Sequence, residues 1–201
     1  MIELKVLQAV RLKGRLGAAE IAATINEDPA AVAEAVGVAT RAGYLAEGKA
    51  LQLLPDGRTR LGELLAAERR KANHAAVEAA YHDFRSVNAD FKALVTDWQL
   101  RNGEPNAHDD GEYDSAVLAR LADVHERVMP IATAVAAEVP RLAAYSDKLA
   151  AALAKVQSGQ TTWLTQPLID SYHTVWFELH EELILAAGLT REGEARAGYA
   201  Q

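Results

Sequence analysis

The spacing of apolar positions changes character near residue 60. Before it, short apolar stripes are interrupted by turn signals; after it, helical 3–4 spacing runs almost without a break. Val6, Leu7 and Val10 place one apolar face on a first helix, and Ala18 to Ile25 form a second that ends at Asn26-Glu27-Asp28-Pro29. Asp28 ahead of Pro29 is a helix-start signal, an N-cap followed by proline at the first helical position. The third helix carries Val32, Val36 and Ala39 on one side and stops at Gly43. Tyr44-Leu45-Ala46 and Ala50-Leu51-Gln52-Leu53-Leu54 flank Glu47-Gly48-Lys49, a turn of three residues containing glycine. This predicts a hairpin, closed by Pro55-Asp56-Gly57.

After Thr59 the strand signals vanish, and no strand is expected over residues 61–190. Val77, Tyr81, Phe84, Asn88, Phe91, Val95 and Trp98 are spaced 4, 3, 4, 3, 4, 3. That seam predicts a helix facing another helix along its length, with Asn88 as its one uncharged polar member. Arg101 to Pro105 ends this helix, and the acidic stretch to Asp114 reads as a loop. A helix from about Asp114 or Ser115 turns Val117, Leu121, Val124 and Val128 inward; Pro130 is expected to interrupt or kink it, leaving a short Ala-rich helix to Val139. Pro140 opens a helix with Leu142, Tyr145, Leu149, Leu153 and Val156 on one face, ended by Ser158-Gly159-Gln160. The last helix is expected from near Pro167 to Ala187, with Gly188 closing it. Its stripe is Leu168, Tyr172, Val175, Trp176, Leu179 and Leu183.

The predicted fold is mainly α. Three helices and a β-hairpin fill residues 1–71, and a continuous or kinked helix leads into an all-α bundle over 72–190. Residues 191–201 are expected to fray as a flexible tail. With 50% hydrophobic residues, the chain can bury a core without staples, and with no cysteine it has none of the disulfide or thiolate kind. No apolar run approaches the roughly 18 residues of a membrane span, and no secretion signal is visible, so a soluble cytoplasmic protein is expected. The charge is divided unevenly: +2 over residues 1–71 and −9 over 72–201. The acidic part repels nucleic acid, so any DNA contact must come from the first 71 residues.

The N-terminal order resembles the winged helix-turn-helix of bacterial transcriptional regulators. The phrase from Arg41-Ala42-Gly43-Tyr44-Leu45 through Leu53-Leu54-Pro55-Asp56-Gly57-Arg58 to Leu61 is similar to the recognition-helix end, wing and following helix of MarR-, PadR- and GntR-type proteins. The resemblance spans about a third of the chain. It implies a DNA-binding regulator, dimeric by the usual symmetry of such proteins and by the seam, with the helical domain serving dimerisation and sensing of a small-molecule effector. Arg41, Lys49, Arg58 and Arg60 are the candidate DNA contacts. The third helix has no Arg, Lys, Asn or Gln before Arg41, and those residues supply most bidentate base contacts. The alternative is therefore an adaptor whose winged helix touches protein. It would be a regulatory partner of a metabolic enzyme, one form being a PEP-utilising phosphotransferase of the pyruvate phosphate dikinase type.

Aromatic residues gather in the C-terminal half, and Phe84, Asn88, Phe91 and Trp176 are the candidate effector pocket. His173 and His180 lie seven residues apart on one side of the last helix, and with His125 they are the candidate ligands of a divalent metal. The ligand domain of many GntR-type regulators is similar: a helical bundle with an Asp and three His around a metal. Here Asn88-Ala89-Asp90-Phe91-Lys92 puts Lys92 where that family has histidine. His180-Glu181-Glu182 lacks the second histidine of a zinc-protease motif, and Asp109-Asp110-Gly111-Glu112 fails calcium-loop spacing. No nucleophile, base and orienting acid share a face, so no enzyme is expected.

Overall fold

The computed structural model describes residues 2–199. They are mainly helical and divide into two compact units, Met1–Lys71 and Ala72–Gln201.

In the first unit, α1 (Ile2–Lys13), α2 (Ala18–Ile25), α3 (Pro29–Arg41) and α4 (Pro55–Arg69) bury Leu7, Ile21, Val32 and Leu61 in a common core. Asp28 caps α3 by accepting from the Ala31 amide at 2.9 Å, with Pro29 in the first turn. Gly43, at φ +75°, ends it, and the Tyr44 amide returns to the Ala39 carbonyl. The expected hairpin is reduced to isolated antiparallel bridges, Leu45 with Leu53 and Leu16 with Leu51. Leu45, Leu51 and Leu53 reach the core, whereas residues 47–50 are exposed. A ladder has only these few positions to anchor it. Pro55-Asp56-Gly57 does not close the hairpin as a turn; it is the first turn of α4. A Cβ on Gly57 would lie 2.1 Å from the Tyr44 carbonyl oxygen, so glycine is what lets α4 approach the bridge backbone. The expected connecting helix is also broken: α4 stops at Arg69, and α5 restarts at His74 behind its Asn73 N-cap.

The second unit is built on α5 (His74–Gln99) and α6 (Gly111–Glu138). Asp97–Arg120, Asp90–Arg127 and Asn73 N–Glu138 contacts run in opposite sequence directions, so the pair is antiparallel. The expectation of no strand over residues 61–190 fails just after α5: β1 (Leu100–Arg101) and β2 (Glu104–Pro105) pair as a minimal hairpin. Gly103, at φ +85°, and Asn102, at φ +53°, supply its turn. Pro130 does not interrupt α6. Pro130 and Glu126, whose carbonyl loses its partner, both lie on the exposed side, where water can satisfy that oxygen, while Val124, Val128, Ile131 and Val135 hold both flanks in the core. α7 (Ala144–Gln157), α8 (Thr162–Thr165) and α9 (Tyr172–Ala186) complete the bundle.

Every member of the seam from Val77 to Trp98 is buried. The expected facing helix belongs to the same unit: Phe84 and Phe91 pack on Trp176 of α9, at 5.1 and 4.3 Å between ring centres. The seam is thus consumed inside one chain and offers nothing to a second copy. α9 starts at Tyr172 because Ser171 is its N-cap; Leu168, placed in its stripe from sequence, sits in the preceding turn at φ +74° and is 98% exposed. The segment expected to fray instead forms α10 (Arg191–Arg196), which buries Glu194. Only residues 200 and 201 of that expectation lie outside the described residues.

Candidate nucleic-acid interface and effector pocket

In the first unit Arg41, Lys49 and Arg58 are exposed. Arg60 is not available in the same way. Its Nε and one terminal nitrogen grip Glu3 at 2.9 and 3.0 Å, and the other nitrogen reaches Glu63 at 3.3 Å. The pairing holds the Glu3 carboxyl below its usual range, chiefly through the hydrogen bond from Arg60. Arg60 therefore fastens α4 to α1, unlike the other three candidate DNA contacts, Arg41, Lys49 and Arg58. The exposed residues of α3 ahead of Arg41 are Pro29, Ala30, Ala33, Glu34 and Val38, none able to read a base edge bidentately.

The second unit holds a cavity of about 250 Å³ between α5, α9 and the C-terminal segment. Of the four candidate pocket residues, Asn88, Phe91 and Trp176 line it and Phe84 does not. Phe84 is fully buried beneath Trp176 and His180 and belongs to the core. Asn88 contributes little free polarity. Its Oδ1 accepts from Trp176 Nε1 at 2.9 Å and its Nδ2 donates to the Tyr199 carbonyl at 3.3 Å. The polar break in the seam is thus a clasp joining α5, α9 and the chain end. Lys92, His173, Phe177, His180, Arg191 and Tyr199 also line it, with Val95, Thr96 and Gln99.

The three histidines do not converge. His125 Nδ1 lies 3.2 Å from the Tyr172 hydroxyl, and His180 Nε2 lies 3.3 Å from the Tyr81 hydroxyl. His173 instead packs against Phe91, 5.9 Å between ring centres. Among the described residues no group of three or more His, Asp or Glu is placed to hold a metal ion. The divalent metal expected at His125, His173 and His180 gains no support from this arrangement, in which the rings have separate aromatic neighbours. Burial lowers all three, His180 to about 4.

A second polar assembly was not foreseen. Tyr81 donates to Glu194 at 2.6 Å, and Arg85 grips the same carboxylate at 2.8 to 3.2 Å. With its one proton committed to Glu194, the Tyr81 oxygen accepts from His180, which assigns the His180 hydrogen to Nε2. The Arg85 guanidinium lies over the Tyr81 and Tyr199 rings at 4.7 and 4.2 Å. Elsewhere, Arg141 and Glu182 form a fully buried ion pair at 2.6 Å beside Tyr145, whose hydroxyl is pushed far up by burial and by Glu182 and Glu178. Sequence spacing marks none of these charges, because Glu194 lies 109 residues from Arg85 and 113 from Tyr81.

Comparison with known family models, characterised proteins and solved structures yields no match to this chain.

Proposed function

We propose that the protein is a DNA-binding transcriptional regulator, with a winged helix-turn-helix over residues 1–71 and a helical unit that senses a small-molecule effector. The observation that carries the reading is the order of the first unit. Three helices are followed by the Leu16–Leu51 and Leu45–Leu53 bridges and then α4, with Arg41, Lys49 and Arg58 left exposed. The cavity beside Trp176 supports the sensing part. With no base-reading group on α3, binding works through phosphates and is weakly selective.

The test is anisotropy of a labelled duplex from the protein's own upstream region across a salt series. Three phosphate contacts give a log–log slope of about −3. Changing Arg41, Lys49 and Arg58 together to Ala should weaken binding to all sequences alike, whereas Arg60→Ala should leave the slope unchanged. Wild-type affinity in the triple variant would overturn the interface. One observation favours the adaptor reading. Val38 is 52% exposed beside a groove lined by Ile2, Ala35, Ala42 and Tyr44, with Glu3, Glu34 and Arg60 as its charged members. Absence of any DNA binding at low salt would select it.

A further inference from the structure

The cavity beside Trp176 is electrically one-sided. Two fixed cations reach its wall, Lys92 and Arg191. Arg191 is matched by Glu181, and the neighbouring buried carboxylate Glu194 is occupied by Arg85 and Tyr81. Lys92 lies one turn beyond Asn88 on α5, partly exposed, and no carboxylate among the described residues pairs with it. The nearest acid in sequence, Asp90, is held by Arg127 at 2.7 Å. The rest of the wall mixes four aromatic rings, Phe91, Trp176, Phe177 and Tyr199, with neutral polar groups such as Thr96 and Gln99, and carries no carboxylate among the described residues. The volume, about 250 Å³, exceeds the roughly 150 Å³ of an apolar cavity that takes up benzene, which leaves room for a single substituted ring.

We propose that this cavity binds a single-ring aromatic carboxylate, with Lys92 Nζ holding the carboxylate and Phe91, Trp176 and Phe177 enclosing the ring. The inference rests on the reading of this unit as the effector module. An ammonium with no internal partner gains a charge-assisted bond from a carboxylate. The ring replaces water against aromatic faces, where stacked or edge-on contacts add to burial. One unmatched positive charge suits one negative charge; a dianion would bury its second charge without a partner. A cationic ligand would meet Lys92 and Arg191. His180, buried and lowered to about 4, offers a ring nitrogen without altering this balance.

The experiment is isothermal calorimetry on the full chain with benzoate, benzyl alcohol and benzamidine, alongside tryptophan fluorescence. Benzoate should saturate one site per chain and perturb the emission, and both controls should bind at least about tenfold more weakly. Lys92→Met should lower benzoate affinity about tenfold, and Lys92→Arg should retain it within about threefold. Phe177→Ala, at a ring already 43% exposed, gives a second variant that spares the core and should also weaken binding. No saturable benzoate binding overturns the proposal, as does unchanged affinity in Lys92→Met. DNA anisotropy with and without benzoate separates the two readings. Benzoate binding that leaves DNA affinity unchanged supports the pocket and overturns only its effector role. DNA binding without any benzoate binding overturns the pocket alone.

Discussion

Asn88 shows how a single residue's meaning depends on what arrives from far along the chain. In the seam it stands as a polar interruption between aromatic residues, the kind that fixes register or partner number at a cost in stability. On that ground alone, Asn88→Leu would raise stability. The structure reverses the sign. Asn88 is 5% exposed, and both ends of its amide are used, by Trp176 Nε1 and by the Tyr199 carbonyl. Leucine would leave the buried indole N–H without an acceptor, and an orphaned buried donor costs about 1–3 kcal/mol. Urea denaturation of Asn88→Leu should therefore show a lower midpoint with an unchanged slope, by about that amount. A midpoint equal to or above wild type would show that the clasp contributes nothing. The same residue explains part of what was legible in the candidate site. Asn88, Phe91 and Trp176 could be marked as special from spacing and aromaticity. Lys92 and Arg191 could not, since a charged residue on a helix carries no spacing signal until the groups around it are known.

Elements were readable where local chemistry decides them. α3 begins at Asp28-Pro29 and ends before Gly43 because a cap and a left-handed glycine act within a few residues of themselves. The α5 seam was readable because it repeats along one continuous helix. The failures lie where remote packing overrides a local signal. Pro130 sits inside α6 because packing on both flanks outweighs one lost hydrogen bond on the solvent side. The hairpin at residues 100–105 escaped notice because two-residue strands have no period. α10 has the composition of a frayed tail, and what fastens it is Glu194 against Arg85 and Tyr81 of α5. That dependence is testable. Glu194→Ala should release the segment, costing about 2 kcal/mol, the range for a charged hydrogen-bonded contact discounted for the partial exposure of Arg85. Amide exchange should accelerate across residues 191–196 while α5 stays protected. Unchanged exchange there would mean that Thr190 capping and backbone bonds alone hold the helix.

At the scale of the whole molecule, the two units differ in what acid does to them. All six histidines and all three tryptophans lie in residues 72–201. His125, His173 and His180 are lowered from 6.5 by burial. For His180 the surroundings oppose one another: Glu181 and Glu194 favour the charged ring, Arg191 and Lys92 disfavour it, and desolvation decides. Once unfolded, the ring takes a proton near 6.5; folded, it resists until about 4. Stability is therefore whole above pH 6.5 and is lost as pH falls from 6.5 towards 4. At pH 5 His180 alone should remove about 2 kcal/mol from this unit, with His125 and His173 adding in the same direction. The first unit contains no histidine, and its one lowered carboxyl, Glu3, loses its stabilisation only below the ordinary carboxylate range. Acidification from pH 7 to pH 5 should thus act mainly on residues 72–201. Thermal melts followed by tryptophan emission, which reports that unit alone, should fall in midpoint. Helical circular dichroism, which reports both, should broaden or split as the first unit lags behind. His180→Gln should flatten the pH dependence of the tryptophan transition, because it removes the largest single proton uptake on unfolding. A tryptophan midpoint that stays level between pH 7 and pH 5 would mean that His180 is already protonated in the folded bundle, contrary to the desolvation that its surroundings impose.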